Sequence, residues 1–272
     1  MGAREPAGRG VPLSGLARAE HDRGLLGRLL GRDPALHAYE LGDLDDFFWP
    51  YTSWFRRGGQ VALLYHGAVP PTLLAFAGAG GRAELAGLLA DLTPVLPARL
   101  HAHLSPGLVG AVAGGFDVGA GVGHVKMALT DRARLAGVVA EGRALSAADL
   151  PELRGLYAAA YPGNWFDARM LDTGRYVGVR RGGALVAVAG VHVYSPTWGV
   201  AALGNVTTHP GFRRRGLGAA VVAALCGRLV GEVEHVTLNV RGDNVAALRL
   251  YRGLGFTAVA EYGEYTLTAR SG

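Results

Sequence analysis

Apolar residues recur at helical spacing from 16 to 30, which predicts a first amphipathic helix behind a Gly/Pro-rich start. Residues 39–55 cluster acids and aromatics and carry no readable period. Short apolar runs at Gln60–Tyr65 and at 72–76 predict strands, separated by a His-Gly and Pro-Pro turn. Helical spacing returns at Arg82–Leu92, a strand is predicted at Arg99–Leu104, a short helix at 106–113 and a strand at 124–129. The charged run 131–134 follows, and a domain boundary is placed there, giving domains of residues 1–135 and 136–272.

The second half is more sharply punctuated. Ser146 stands before a helical stretch ending at Ala160, with Asp149 and Glu152 in its first turns, where the helix dipole favours acids. Tyr161-Pro162-Gly163 stops it. Strands are predicted at 175–181, 184–194 and 198–208, the first two joined by the tight-hairpin pair Gly182-Gly183. A helix at 217–230, a strand at 235–240, a helix at 245–254 and a final strand or hairpin at 256–269 complete the pattern. Strand, helix, strand in succession implies a parallel crossover within an otherwise antiparallel meander. The fold class is therefore α/β (α+β), a mixed and mostly antiparallel sheet flanked by helices.

Composition narrows the partners. The chain carries a net charge of +5 and a pI near 9.6, yet its cations are arginines dispersed along the sequence, with Lys126 the sole lysine. No nucleic-acid-reading motif accompanies them, so no nucleic acid is expected as a partner. The single Cys226 sits in an Ala/Val/Leu helical pattern and reads as a packing residue, which excludes an internal disulfide. No stretch has the length of a membrane span, and Arg4 and Arg9 lack an apolar segment behind them. A cytoplasmic protein, monomeric or homodimeric, with no membrane partner is expected.

The chemistry concentrates between 206 and 256. The run Val206-Thr207-Thr208-His209-Pro210-Gly211-Phe212-Arg213-Arg214-Arg215-Gly216-Leu217-Gly218-Ala219 leaves a strand, turns, and enters a helix through glycines. Gly216 and Gly218 let the backbone approach an oxyanion, the helix start aims free N–H groups at it, and the three arginines add charge. A solvated strand-to-helix turn has the same composition. A second run, Asn239-Val240 followed by Asp243-Asn244-Val245-Ala246-Ala247-Leu248-Arg249-Leu250-Tyr251 and Gly253-Leu254-Gly255-Phe256, raises the specificity.

Together the two runs resemble the GCN5-related N-acetyltransferase (GNAT) superfamily. Its pattern Arg/Gln-x-x-Gly-x-Gly/Ala is matched by Arg213, Gly216 and Gly218. Its following helix is matched by Asn244, Ala247, Leu250, Tyr251, Gly255 and Phe256. The resemblance covers about residues 140–270, and the run from Tyr176 through His192-Val193-Tyr194-Ser195 to Asn205 is similar to the glycine N-acyltransferase-like branch. The first half looks like a degenerate second copy, so tandem GNAT-like halves with one active site are expected. Gly119-Ala120-Gly121-Val122-Gly123 lacks flanking arginines and reads as a flexible connector.

The resemblance implies a mechanism. Acetyl-CoA would lie with its pyrophosphate on Arg213, Arg214, Arg215, Gly216, Leu217, Gly218 and Ala219, and its pantetheine along Val206, Thr207 and Thr208. Asn244 would cap its helix and touch the same arm. The parallel pair would splay, with Gly204 permitting a bulge and the N–H of Asn205 or Val206 polarising the thioester. Tyr251 would protonate the leaving thiolate after direct attack by an amine. The base is not evident: the strand before the loop has no acid, and His192, Tyr194, Glu40 and Asp43 are candidates, each with an ordinary packing explanation. His101 and His103 alternate on one strand face, but no third ligand lies nearby and no metal is expected.

Tyr161-Pro162-Gly163-Asn164-Trp165-Phe166 falls where such folds line the acceptor pocket, which suits a small-molecule amine or amino acid. The expected activity is therefore acetyl transfer to a primary amine. The alternatives are a non-catalytic CoA-binding module and a peptide or protein N-acetyltransferase.

Overall fold

The structure is a computed structural model and describes residues 16–270. In the first half, β1 (Arg18–Ala19), α1 (Arg23–Leu30) and α2 (Ala38–Gly42) precede β2 (Thr52–Arg57), β3 (Gln60–Tyr65), β4 (Thr72–Ala75), α3 (Arg82–Leu92) and β5 (Arg99–Leu104). β6 (Phe116–Val118), β7 (Val122–Leu129), α4 (Ala133–Ala136) and β8 (Arg143–Ala144) lead into the second half. There α5 (Leu150–Ala160), β9 (Val177–Arg181), β10 (Ala184–Ser195), β11 (Val200–Thr208), α6 (Leu217–Leu229), β12 (His235–Arg241), α7 (Val245–Gly253) and β13 (Phe256–Ala269) follow.

The expected fold class holds: one mixed sheet, mostly antiparallel, with helices on its faces. Its order is β1-β2-β3-β4-β5-β13-β7-β12-β11-β10-β9-β8, with β6 on β13. Two antiparallel meanders each end in a parallel pair, β4 with β5 and β11 with β12, crossed by α3 and α6 respectively. Each half hands its last strand across. β7 pairs with β12, and β13 lies between β5 and β7. Residues far apart in the chain thus meet in the middle of the sheet.

Alternation along these central strands sorts their side chains. Met127 and Leu129 join the core beneath α6 and α7, built from Val221, Leu225, Cys226, Leu238 and Phe256. Lys126 faces the other way, toward Tyr39 of α2 and toward Phe76 and Tyr262. That second face is covered by α1 and α2 through Leu26, Leu30, Leu36 and Leu41. Cys226 is fully buried, and burial raises its thiol pKa to about 12, as a packing role requires.

Local signals account for most boundaries. Ser146 and Asp149 form a capping box, with Asp149 Oδ2 accepting from the Ser146 backbone N–H at 2.8 Å. Gly182 and Gly183 turn the β9–β10 hairpin at φ 56° and 84°. Three expectations are corrected. The helix expected over 16–30 begins only at Arg23, capped by the Asp22 carboxylate, because Arg18 and Ala19 pair with Arg56 and Phe55 as strand. Residues 106–113 contain one 3₁₀ turn, Val109–Ala111. The segment 119–123 is no loose connector: Gly119 donates to Thr266 O at 2.9 Å, and Val122 and Gly123 belong to β7. Residues 256–269 form one strand, the first of the two forms expected there.

Candidate active site

The parallel pair β11–β12 is in register from Val200 opposite His235 to Leu203 opposite Leu238, and no pair follows. At the same level β11 bulges against β10, its pairing jumping from Gly204 to Thr207. Asn205 makes the bulge, with φ of 55°, a left-handed conformation that asparagine tolerates better than most side chains. It is 4 % exposed and held from three sides. Tyr157 Oη donates to its carbonyl at 3.0 Å, and its Nδ2 donates to Tyr176 Oη at 3.0 Å and approaches Met170 Sδ at 3.6 Å.

Gly204 has a different task from the one expected. A Cβ there would overlap the His192 ring, so the glycine makes room for the imidazole while its neighbour makes the bulge. His192 Nδ1 lies 3.3 Å from Tyr39 Oη. Its Nε2 and the Oδ1 of Asn205 are both sealed from solvent with no hydrogen-bond partner. Burial lowers the imidazole pKa against an upward pull from the Asn205 carboxamide, so the ring is neutral at pH 7. The other candidate bases are engaged elsewhere. Tyr194 Oη donates to Glu232 at 2.9 Å and receives from Arg175. Burial works to raise Glu40, but His37 at 2.9 Å outweighs it and the pKa is lowered. Asp43 is raised well above the usual carboxylate range by burial and by Glu40.

Beyond β11 the chain turns through Pro210–Phe212 and enters α6 at Leu217. Gly216 stands at the cap with φ of 78° and Arg214 before it has φ of 61°, while no side chain caps the helix. The first N–H groups of α6, including those of Leu217, Gly218 and Ala219, therefore remain available at the positive end of the helix dipole. Arg213 donates to Thr208 O at 3.2 Å and Ala160 O at 3.4 Å, and Arg215 to Gly211 O at 3.2 Å, so both brace the loop. Arg214 is exposed and has no protein partner among the described residues. Gly218 packs closely, with a Cβ there 3.1 Å from Leu250 Cδ1. Val206 and Thr208 are half-buried and Thr207 is buried along the diverging strand.

Tyr251 projects from α7 and is 8 % exposed, edge-to-face with Phe256 at 5.8 Å. No protein group hydrogen-bonds its hydroxyl among the described residues. Burial and the nearby Tyr161 raise its pKa, which keeps it a phenol. Asn244 caps α7, its Oδ1 accepting from Ala247 N at 3.1 Å. In the acceptor segment, Phe166 is absorbed into packing against Tyr157 and Tyr176, while Tyr161 and Trp165 stay exposed and Trp165 meets His101 of the first half at 5.8 Å. Tyr39, Tyr157 and Tyr176 escaped the sequence reading because their contacts cross from distant elements. Among the described residues no cluster of His, Cys, Asp and Glu is suited to a metal ion, and no helix is long and apolar enough to cross a membrane.

Residues 143–256, which hold the bulge, the uncapped helix and Tyr251, match the acetyltransferase (GNAT) family. This part of the chain is a GNAT acetyltransferase domain. The chain is 40 % identical over 88 residues, 31 % of its length, to the N-alpha-acetyltransferase RimI of Mycobacterium tuberculosis. It spans only about half of that relative, 52 %. A GNAT-family acetyltransferase structure from Novosphingobium aromaticivorans aligns with TM-score 0.51 and 26 % identity, over 72 % of this chain and 84 % of that one. A tandem GNAT protein from the clavulanic acid biosynthesis pathway shares the fold across both halves, with TM-score 0.54, 19 % identity, and coverage of 94 % of this chain and 98 % of that one.

Proposed function

We propose that the chain is an acetyl-CoA-dependent N-acetyltransferase acting on a primary amine of a small molecule or amino acid. The observation that carries this reading is the bulge at Asn205, where the parallel strands part, placed next to an uncapped helix start. Exposed arginine and free N–H groups fit a diphosphate, and parted strands with free backbone groups fit a pantetheine arm. Gly216, Leu217, Gly218, Ala219 and Arg214 would hold the diphosphate, braced by Arg213 and Arg215. Val206, Thr207 and Thr208 would line the arm, and Asn244 would steady the facing helix. When bound, the donor supplies a thioester carbonyl for attack.

The protein groups then divide the work. The Val206 N–H, next to the bulge, would polarise the carbonyl oxygen. His192 would take up the proton of the attacking amine through a relaying water, since its Nε2 is sealed from solvent. Tyr251 would give its phenolic proton to the thiolate that leaves when the amine replaces sulfur on the carbonyl carbon. The residues of 1–135 would roof the acceptor end through Tyr39 and His101, and residues 136–272 would hold the donor. That roof favours a small acceptor. The similarity to an N-alpha-acetyltransferase favours a peptide N-terminus as the second reading.

Thiol release from acetyl-CoA, followed with a panel of small amines, amino acids and N-terminal peptides, tests this. Release with the small amines supports the first reading and release with peptides alone the second. Tight CoA binding with no release in any arm overturns both in favour of a binding module.

A further inference from the structure

We propose that Glu264 forms a second acceptor subsite that takes a cationic group remote from the reacting amine, so that the acceptors are elongated molecules with two amino groups. The inference rests on the acetyltransferase reading and specifies its substrate class. Glu264 lies on β13, opposite His103 of β5 and Val122 of β7. Its side chain is 33 % exposed. Tyr262 Oη donates to Oε1 at 3.0 Å, and the Nε2 atoms of His103 and His124 each stand 3.5 Å from the same oxygen.

No arginine or lysine pairs with this carboxylate among the described residues. The nearest cations are committed elsewhere. Arg241, next to His124 across β7 and β12, is bidentate to Asp243, and Lys126 is enclosed by the rings of Tyr39, Phe76 and Tyr262. His103 supplies no compensating charge, because burial lowers its pKa to about 4 despite Glu264. His124 Nδ1 lies 3.1 Å from Val122 O, and a carbonyl can only accept. Nδ1 of His124 therefore donates to that carbonyl. Tyr262 supplies the one hydrogen bond to Oε1, and Oε2 accepts from no protein group among the described residues, which leaves the carboxylate open to an ammonium with its three donors.

The site opens to solvent. His124, Tyr262 and Gly263, neighbours of Glu264 in the chain and the sheet, line a hollow together with Leu248, Arg252 and Glu261. It also lies on the same side of the sheet as His192: the Lys126 ammonium is 5.6 Å from the Tyr262 ring and 5.3 Å from the Tyr39 ring, and Tyr39 Oη is 3.3 Å from His192 Nδ1. The Glu264 carboxylate raises the pKa of Tyr39 and Tyr161 and pulls that of His192 upward, and Tyr161 in turn acts on Tyr251. Three strand spacings, roughly 14 Å, separate β13 from β11, which carries the bulge. An acceptor reaching from Glu264 to the bulge therefore carries its two amino groups at about that separation. A monoamine would fill one end only.

Two measurements test the inference. Acetyl-transfer kcat/KM is compared for linear diamines of increasing length and for monoamines of equal length, in wild type and in Glu264→Gln and Glu264→Asp. The wild type is expected to prefer the longer diamines, and Glu264→Gln to reduce that preference about tenfold or more, mainly through KM. Glu264→Asp is expected to restore part of it. Calorimetric titration of the best diamine into the CoA-loaded protein reads the same loss without turnover. Equal diamine preference, or equal diamine affinity, in wild type and Glu264→Gln overturns the subsite, as does failure of the wild type to bind any diamine. Glu264-dependent diamine binding without acetyl transfer sustains the subsite and overturns the acetyltransferase reading instead.

Discussion

Tyr157 Oη donates to the carbonyl of Asn205 over 3.0 Å, and this bond fixes the one non-glycine residue of β11 that has a left-handed backbone. The tyrosine comes from α5, so the position of that helix sets the angle of the bulge. Burial and neighbouring tyrosines raise the Tyr157 pKa, which makes it a permanent donor. Tyr157→Phe leaves a buried carbonyl unpaired, at an expected cost of about 1–3 kcal/mol in urea unfolding. On the proposed mechanism the same bulge aims the Val206 N–H, so kcat is expected to fall about ten- to a hundred-fold. A full loss of stability with kcat unchanged would show that the bulge does not position the polarising N–H.

The arginine triplet separates into braces and a free charge. Arg213 and Arg215 hold backbone carbonyls of the loop, whereas Arg214 is exposed with no protein partner among the described residues. Arg214→Ala is expected to weaken CoA binding about three- to tenfold at low salt, with the difference shrinking as salt is raised. Arg213→Ala is expected to weaken it at all salt concentrations, because the loop itself loosens. Calorimetric titration of CoA at two ionic strengths reads both.

Tyr251 and His192 should appear in different limbs of the pH profile. Tyr251→Phe is expected to lower kcat by about 10²-fold with little change in KM for the donor. On the proposed mechanism His192 acts in its neutral form, and its pKa is lowered by burial, with Tyr39, Asn205 and Glu264 around it. Activity should therefore rise with pH through a midpoint below the usual imidazole range, and that acid limb should vanish in His192→Gln. An unchanged limb in the variant would move the base role elsewhere in the cleft.

Much of the second half was legible because its signals are local. The apolar period of α6, the Ser146–Asp149 box and the Gly182-Gly183 turn each act within a few residues. What escaped depends on contacts across long sequence separations. The strand at Arg18–Ala19 exists because β2 offers it an edge, and no propensity announces that. The role of Gly204 depends on the ring of His192, twelve positions back. Phe166 read as a pocket aromatic, but Tyr157 and Tyr176 claim it for packing. Glu264 drew no notice because its neighbours come from β5 and β7, which meet β13 only once the halves exchange their last strands.

Lys126 illustrates the same point and gives a prediction that is independent of catalysis. Its ammonium lies 3.8 Å from the centre of the Phe76 ring, the residue is 2 % exposed, and burial lowers its pKa from 10.5 to about 8 although Glu40 and Asp33 work to raise it. Between those two values the unfolded chain holds a proton at this position that the native chain has released. Raising the pH through that window therefore favours the native state, by up to about 3 kcal/mol for this group. The buried tyrosines, whose pKa values are raised, act in the opposite sense near pH 10, and they do so equally in a Lys126→Met variant. The stability difference between wild type and Lys126→Met isolates the lysine. In urea titrations at pH 7.5, 8.5 and 9.5, Lys126→Met is expected to be the more stable at pH 7.5, with the gap closing as the pH rises. A gap that stays constant would mean that the lysine keeps its proton inside the aromatic cage.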